Sequence, residues 1–208
     1  MNELCTLLRH PEAAAELDAL RWDEVLVQGR GARLIGRLPS ILRDVPPASI
    51  PPAVADVIRG ARIMITCLQG RARFEVRRLK ALTESADYPV VLLKGVAYLV
   101  ADLPSAEGRA LNDIDILVPE SALPRAERVL LASGWRFSDG LTPYDEHYYR
   151  SWTHEPPLEH PDAHFELDVH HSLVRPTSRA WLHNDALSEA VVPIEGSPFF
   201  RLGDEDLV

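Results

Sequence analysis

Asp113 and Asp115 stand one residue apart in the run Asn112-Asp113-Ile114-Asp115-Ile116-Leu117-Val118, which otherwise reads as a buried β-strand. Strand side chains alternate faces, so both carboxylates point one way and Ile114 and Ile116 the other. Two carboxylates this close repel each other unless a cation lies beside them. Mg²⁺ is the cation that fits, being hard, oxygen-seeking and usually held by one or two carboxylates plus substrate phosphates. Mn²⁺ is the alternative ion. The pair therefore points to chemistry on a nucleotide.

Two further segments carry groups suited to that chemistry. Leu93-Lys94-Gly95 sits between the apolar run Val90–Leu93 and a predicted helix from Val96 to Leu103. Helix N-termini present free N–H groups to phosphate, Gly95 allows close backbone approach, and Lys94 adds a point charge. The second segment, Glu166-Leu167-Asp168-Val169-His170, alternates strictly and places Glu166, Asp168 and His170 on one strand face. If this strand neighbours the Asp113 strand, Glu166 or Asp168 completes the cation site. Three carboxylates can hold two metal ions about 3.5–4 Å apart, which activate a hydroxyl and stabilise a leaving pyrophosphate. Arg109 lies in the intervening loop. Its guanidinium fork suits a triphosphate, while the plainer reading is an ion pair with Glu107 or Asp102.

The same stretch permits a rival. His154, His160, His164, His170 and His171 cluster closely, and imidazole is a common zinc ligand, so a metal-dependent hydrolase built from His and Asp is the competing chemistry. No helical His-x-Glu-x-x-His spacing supports it. Trp135, Phe137, Tyr148, Tyr149 and Trp152 read as hairpin core rather than as a base-stacking platform.

These groups need elements to hold them. Residues 1–43 read as helices, with Asn2 as a cap and Pro11 opening a second helix. Pro46, Pro47, Pro51 and Pro52 mark a linker. A long helix from Ala53 to Ser85 follows from the stripe Val54, Ile58, Ala61, Ile65, Leu68, Ala72, Val76 and Leu79. Strands are expected at Val90–Leu93, Asp113–Val118, His164–His170 and Val191-Val192, with a helix from Ser121 to Ala132 stopped by Gly134. Trp135–Phe137 is expected to pair antiparallel with Tyr148–Trp152, and Pro156, Pro157 and Pro161 to form a loop. A short helix is expected after residue 177. The order predicts an α+β fold, a mixed sheet behind a helical region, with residues 1–86 as the helical N-terminal region and 87–208 as the α/β core.

Taken together, Val91-Leu92-Leu93-Lys94-Gly95, Arg109, Asn112–Val118 and Glu166–His170 resemble the uncharacterised nucleotidyltransferase family of the DNA polymerase β-like superfamily. The resemblance covers roughly residues 50–208 and implies a polymerase β-like core. The implied activity is transfer of NMP from an NTP to a hydroxyl, with release of pyrophosphate. The implied metal carboxylates are Asp113, Asp115 and Asp168, since Asp168-Val169-His170 fits the family's Asp-aliphatic-His pattern better than Glu166 does; Glu166 itself reads as a spare ligand, a base behind the ligands or a structural partner of His170. Lys94, Gly95 and Arg109 are the implied nucleotide-binding residues. Two departures stand out: the superfamily's Gly-Ser or Gly-Gly turn is Lys94-Gly95 here, and His171 replaces an aromatic. Related chains continue into further helices, so the core is expected to be truncated before them. A non-catalytic nucleotide-binding module on the same fold is the other alternative.

Composition narrows the partners. The 208 residues carry a net charge of −9, which argues against broad DNA binding. The basic run Arg71, Arg73, Arg77, Arg78 and Lys80 reads as a solvated helix face, and it is where a tRNA acceptor would dock. A small molecule or a protein is equally open as acceptor. No apolar stretch approaches the ~18 residues of a membrane span, and the first residues lack a leader pattern. Cys5 and Cys67 read as buried free thiols. A reducing cytoplasm is the expected location.

Overall fold

The computed structural model describes residues 2–84, 86–139, 142–145, 149, 154–174 and 190–207. Its contacts divide the chain into two units, Met1–Gly70 with Pro104–Ala110, and Arg71–Leu103 with Leu111–Val208.

The first unit is helical. It contains α1 (Glu3–Arg9), α2 (Ala19–Gly31), α3 (Leu38–Ile41) and the first part of α4 (Pro52–Arg78). Asn2 accepts the Cys5 N–H at 3.1 Å and Asp18 accepts that of Arg21 at 3.0 Å. These bonds satisfy donors that the first turn leaves open. Leu4, Leu7, Trp22, Val25, Leu38 and Val54 form the core. Gly36 and Gly108 explain how Pro104–Ala110 joins this unit. A Cβ on Gly36 would collide with the Gly108 carbonyl and with Ile65, and Gly108 itself has φ +69°, a conformation that favours glycine. Arg37 donates to the carbonyls of Pro104 and Glu107, and Arg43 pairs with the Glu107 carboxylate.

The second unit carries a seven-stranded mixed sheet among the described residues. In chain order the strands are β1 (Val91–Leu92), β2 (Asp113–Leu117), β3 (Arg136–Phe137), β4 (Leu158–Glu159), β5 (Glu166–His170), β6 (Val192–Pro193) and β7 (Phe200–Arg201). Their spatial order is β3-β4-β5-β2-β1-β7-β6. The central pair, β2 and β5, is parallel, while β1 runs antiparallel to β2. The helices here are the rest of α4, α5 (Lys80–Glu84), α6 (Lys94–Val100) and α7 (Leu123–Ala132). Leu92, Ile114, Ile116, Leu167 and Val169 are at most 2% exposed. Burying each Ile or Val contributes roughly 1.5–3 kcal/mol, which fixes this sheet face inward. The opposite face grades from the apolar cluster Val91, Leu93, Leu117 and Leu202 to the carboxylates at the start of β2.

The mixed α+β architecture matches expectation, with several corrections. Trp135–Phe137 does supply a strand, but β3 pairs with β4, in the proline-flanked stretch expected to be a loop. Pro156, Pro157 and Pro161 flank β4 rather than interrupt it. Tyr148–Trp152, except Tyr149, and the helix expected after residue 177 lie outside the described residues. The long helix ends at Arg78 and resumes as α5. Both cysteines are free but exposed. Cys67 stands two residues past Ile65, which turns it roughly 200° around the helix from the buried stripe. No helix among the described residues is long and apolar enough to cross a membrane.

Candidate metal centre

The parallel register decides what meets what. Asp113 pairs with Glu166, Asp115 with Asp168, and Leu117 with His170. Because alternate residues share a face, all five polar groups occupy one side of the β2–β5 ladder. Asp115 is 2% exposed, Asp113 and Asp168 are partly buried, and Glu166 is exposed. Asp115, Asp168 and His170 each offer a ligand atom, all within 4.8 Å of one another. Two carboxylates and an imidazole fit a divalent cation. Asp113 flanks this group two residues back along β2, with Glu166 opposite it.

A lysine closes the site from the β1 side. Leu93 donates its backbone N–H to the Asp115 carbonyl at 3.0 Å, which brings the next residue beside the Asp115 side chain. Lys94 Nζ donates to Asp115 Oδ1 at 2.5 Å, and His170 Nε2 lies 3.0 Å from the same oxygen. Since a carboxylate only accepts, His170 donates from Nε2 in this arrangement. Lys94 has φ +48°, so the left-handed residue of the turn is the lysine and not Gly95, which lies buried in α6. His154 bridges to His170, their rings 5.1 Å apart, and its Nδ1 bonds the Glu155 carbonyl at 2.8 Å.

These contacts split the carboxylates into two kinds. Burial alone would raise the Asp115 carboxyl, but hydrogen bonds from His170 and Lys94, and their charges, hold it below the usual range. Asp113 is pushed up by burial and by the Asp115 charge. Asp168 is pushed up by the same two causes, with His154 and His170 opposing. Lys94 is raised: burial works against its charge, but the bond to Asp115 and the three carboxylates outweigh it. The cluster thus holds one firmly ionised carboxylate and two that repel in the absence of further positive charge.

Sequence reasoning named Lys94, Asp113, Asp115, Asp168 and Glu166, and all five lie in the second unit around this ladder. Arg109 is carried by the first unit, where its carbonyl accepts from Gln69 Nε2 at 3.1 Å. Of the acids near it in sequence, Glu107 pairs with Arg43 and Asp102 with Arg73. Two site residues were missed. His170 was placed on the correct face but given a ligand role only in the rival hydrolase reading. Glu75, inside the predicted long helix, was assigned no role. It is 3% exposed and accepts the backbone N–H groups of His164 at 2.6 Å and Phe165 at 3.1 Å, fixing the segment that enters β5. Its spacing, three residues after Ala72 and one before Val76, marks the buried side of α4. His171 is buried, which lowers its pKa, and its Nε2 has no hydrogen-bond partner among the described residues.

The sequence pattern of the uncharacterised nucleotidyltransferases matches residues 18–208. The chain belongs to this family. No curated protein and no solved structure matches it. As a nucleotidyltransferase it is an enzyme of the class that acts on an NTP, and among the described residues Asp115, Asp168 and His170 form a group that could hold a metal ion.

Proposed function

We propose that the protein is a Mg²⁺- or Mn²⁺-dependent nucleotidyltransferase that moves NMP from an NTP to a hydroxyl of an acceptor. The observation that carries this reading is Asp115 opposite Asp168 on neighbouring parallel strands, with His170 close enough to share an ion. Asp113, Asp115, Asp168 and His170 would hold the metal, Glu166 being the spare carboxylate. Bound there, a divalent ion would neutralise the triphosphate and acidify the acceptor hydroxyl. In the transfer the acceptor oxygen bonds to the α-phosphorus, the bond to the bridging oxygen of the β-phosphate breaks, and pyrophosphate leaves. Asp168, whose carboxyl is pushed up by burial and by the Asp115 charge, would complete the metal site and help take the hydroxyl proton, directly or through the metal. Lys94 and Gly95 would grip the phosphates. The chemistry rests on positioning and charge neutralisation.

Asp113→Ala and Asp115→Ala are each expected to abolish metal-dependent NTP binding in calorimetry and pyrophosphate release with a panel of hydroxyl acceptors, tRNA, proteins and sugars included. Undiminished binding in both variants overturns the reading. The imidazoles at the ladder keep the His/Asp hydrolase as a second reading, and metal analysis separates them: tightly held zinc or iron favours the hydrolase, weakly held Mg²⁺ or Mn²⁺ the transferase.

A further inference from the structure

Lys94 occupies an unexpected place. A lysine that serves phosphates should reach away from the carboxylates, yet its ammonium lies on Asp115 Oδ1, the oxygen that His170 also contacts. Asp115 belongs to the group of ligand atoms that lie within 4.8 Å of one another. A metal ion drawing on Asp115 and the ammonium of Lys94 would therefore be two cations competing for one small volume. The backbone supports a purpose for the side chain: φ is +48° at Lys94, a strained value for a residue with a Cβ and an easy one for glycine. The turn keeps a lysine where a glycine would fit better.

We infer that Lys94 is a tethered cation that neutralises Asp115 while the metal is away and is released to the triphosphate when the metal arrives. This rests on the reading of Asp113, Asp115 and Asp168 as the metal site. It goes further by making metal and polyphosphate binding interdependent. Without phosphate, the metal must displace a hydrogen-bonded ammonium and leave it without a counter-charge. With phosphate present, Lys94 exchanges one anion for another and the displacement is nearly neutral. Metal and polyphosphate then raise each other's affinity by the same factor, as linkage requires. Asp115, buried and firmly ionised, is neutralised in both states. Its burial demands this, since removing one partner from a buried ion pair is costly. Half of the Lys94 side chain is exposed, so it can move without opening the core.

The test uses the full chain, Mn²⁺ as the probe ion and inorganic tripolyphosphate as the phosphate probe, read by calorimetry and by the Mn²⁺ spin-resonance signal. Relative to wild type, Lys94→Met should bind Mn²⁺ alone about tenfold more tightly, the effect of removing one competing unit charge near a partly buried site. Wild type should bind the Mn²⁺–tripolyphosphate complex at least tenfold better than Mn²⁺ alone, and this ratio should fall towards one in Lys94→Met. Lys94→Arg keeps the charge and should behave as wild type towards Mn²⁺ alone, while circular dichroism establishes that each variant is folded. Asp115→Asn distinguishes the two levels of the argument. If Mn²⁺ binds wild type, Asp115→Asn removes it and Lys94→Met leaves it unchanged, the metal site stands and the exchange is refuted. If Asp115→Asn has no effect on Mn²⁺, both fall.

Discussion

Asp113→Asn should stabilise the metal-free protein. Asp113 and Asp115 are two residues apart on β2, and a strand rises about 3.3 Å per residue, so the charges are roughly 6.6 Å apart. Their repulsion is about 0.6 kcal/mol at the dielectric of water and about 2.5 kcal/mol at an effective value of 20. Asp113 is only partly buried, and Lys94 offsets part of the repulsion, so the net penalty is about 1 kcal/mol after solvent screening. The sign follows from linkage. A carboxyl raised in the folded state binds its proton more tightly there than in the unfolded chain. Its unfavourable contribution is therefore present at pH 7 and disappears as the pH falls below the ordinary carboxylate value. In EDTA at pH 7 the variant should melt about 2–4 °C above wild type, and the difference should shrink towards zero at pH 4. Mn²⁺ should reverse the order. A ligand at one hundred times its Kd stabilises by about 2.7 kcal/mol, a gain open to wild type and largely lost to the variant. An Asn variant that is no more stable than wild type in EDTA, or whose advantage does not change between pH 7 and pH 4, refutes the picture of an electrostatically strained, cation-seeking ladder.

Two other substitutions probe how the site is held. Glu75→Ala strips the acceptor from two backbone N–H groups at the entry to β5 and should destabilise by about 2–4 kcal/mol; Glu75→Gln should cost less, and hydrogen exchange at residues 164–169 should accelerate in the same order. Gly36→Ala should destabilise by about 1–3 kcal/mol through collision with Gly108 and Ile65, whereas Gly60→Ala, in α4 with open space around it, should stabilise by about 0.5–1 kcal/mol. Urea unfolding of both glycine variants checks the contrast.

The strands that carry chemistry were legible because their alternation is strict and their buried residues are β-branched or leucine. The missed elements had weak or misleading local signals. Prolines flank β4, and proline next to a two-residue strand reads as loop. Phe200–Arg201 is too short for periodicity to register. The break between α4 and α5 at Leu79 carries neither Pro nor Gly. The return of Pro104–Ala110 to the first unit depends on a meeting of Gly36 and Gly108, seventy-two residues apart, which no local pattern reports. Cys67 shows the same limit within one helix: the stripe was read correctly, but Cys67, just off it, was counted with the buried side and is exposed.

The identity of the third carboxylate was a question of register, and hydrophobic patterning cannot answer it. A slip of one residue between β2 and β5 would turn every side chain to the wrong face, so the apolar alternation excludes that. A slip of two keeps Ile114 and Ile116 inward and would set Asp115 opposite Glu166. The observed pairing is selected by contacts outside the alternation. Val118 donates to the His170 carbonyl at 3.0 Å and Glu155 to that of Val169 at 2.9 Å. Glu75 holds the amides of His164 and Phe165, just before the strand begins. The first bond extends the β2–β5 ladder in the register that sets Asp168 opposite Asp115 and brings His170 within reach of the same carboxylate, while the others hold β5 from two further segments. The buried carboxylate on α4 thus reaches the candidate metal centre through the backbone alone, by holding the two amides that lead into β5.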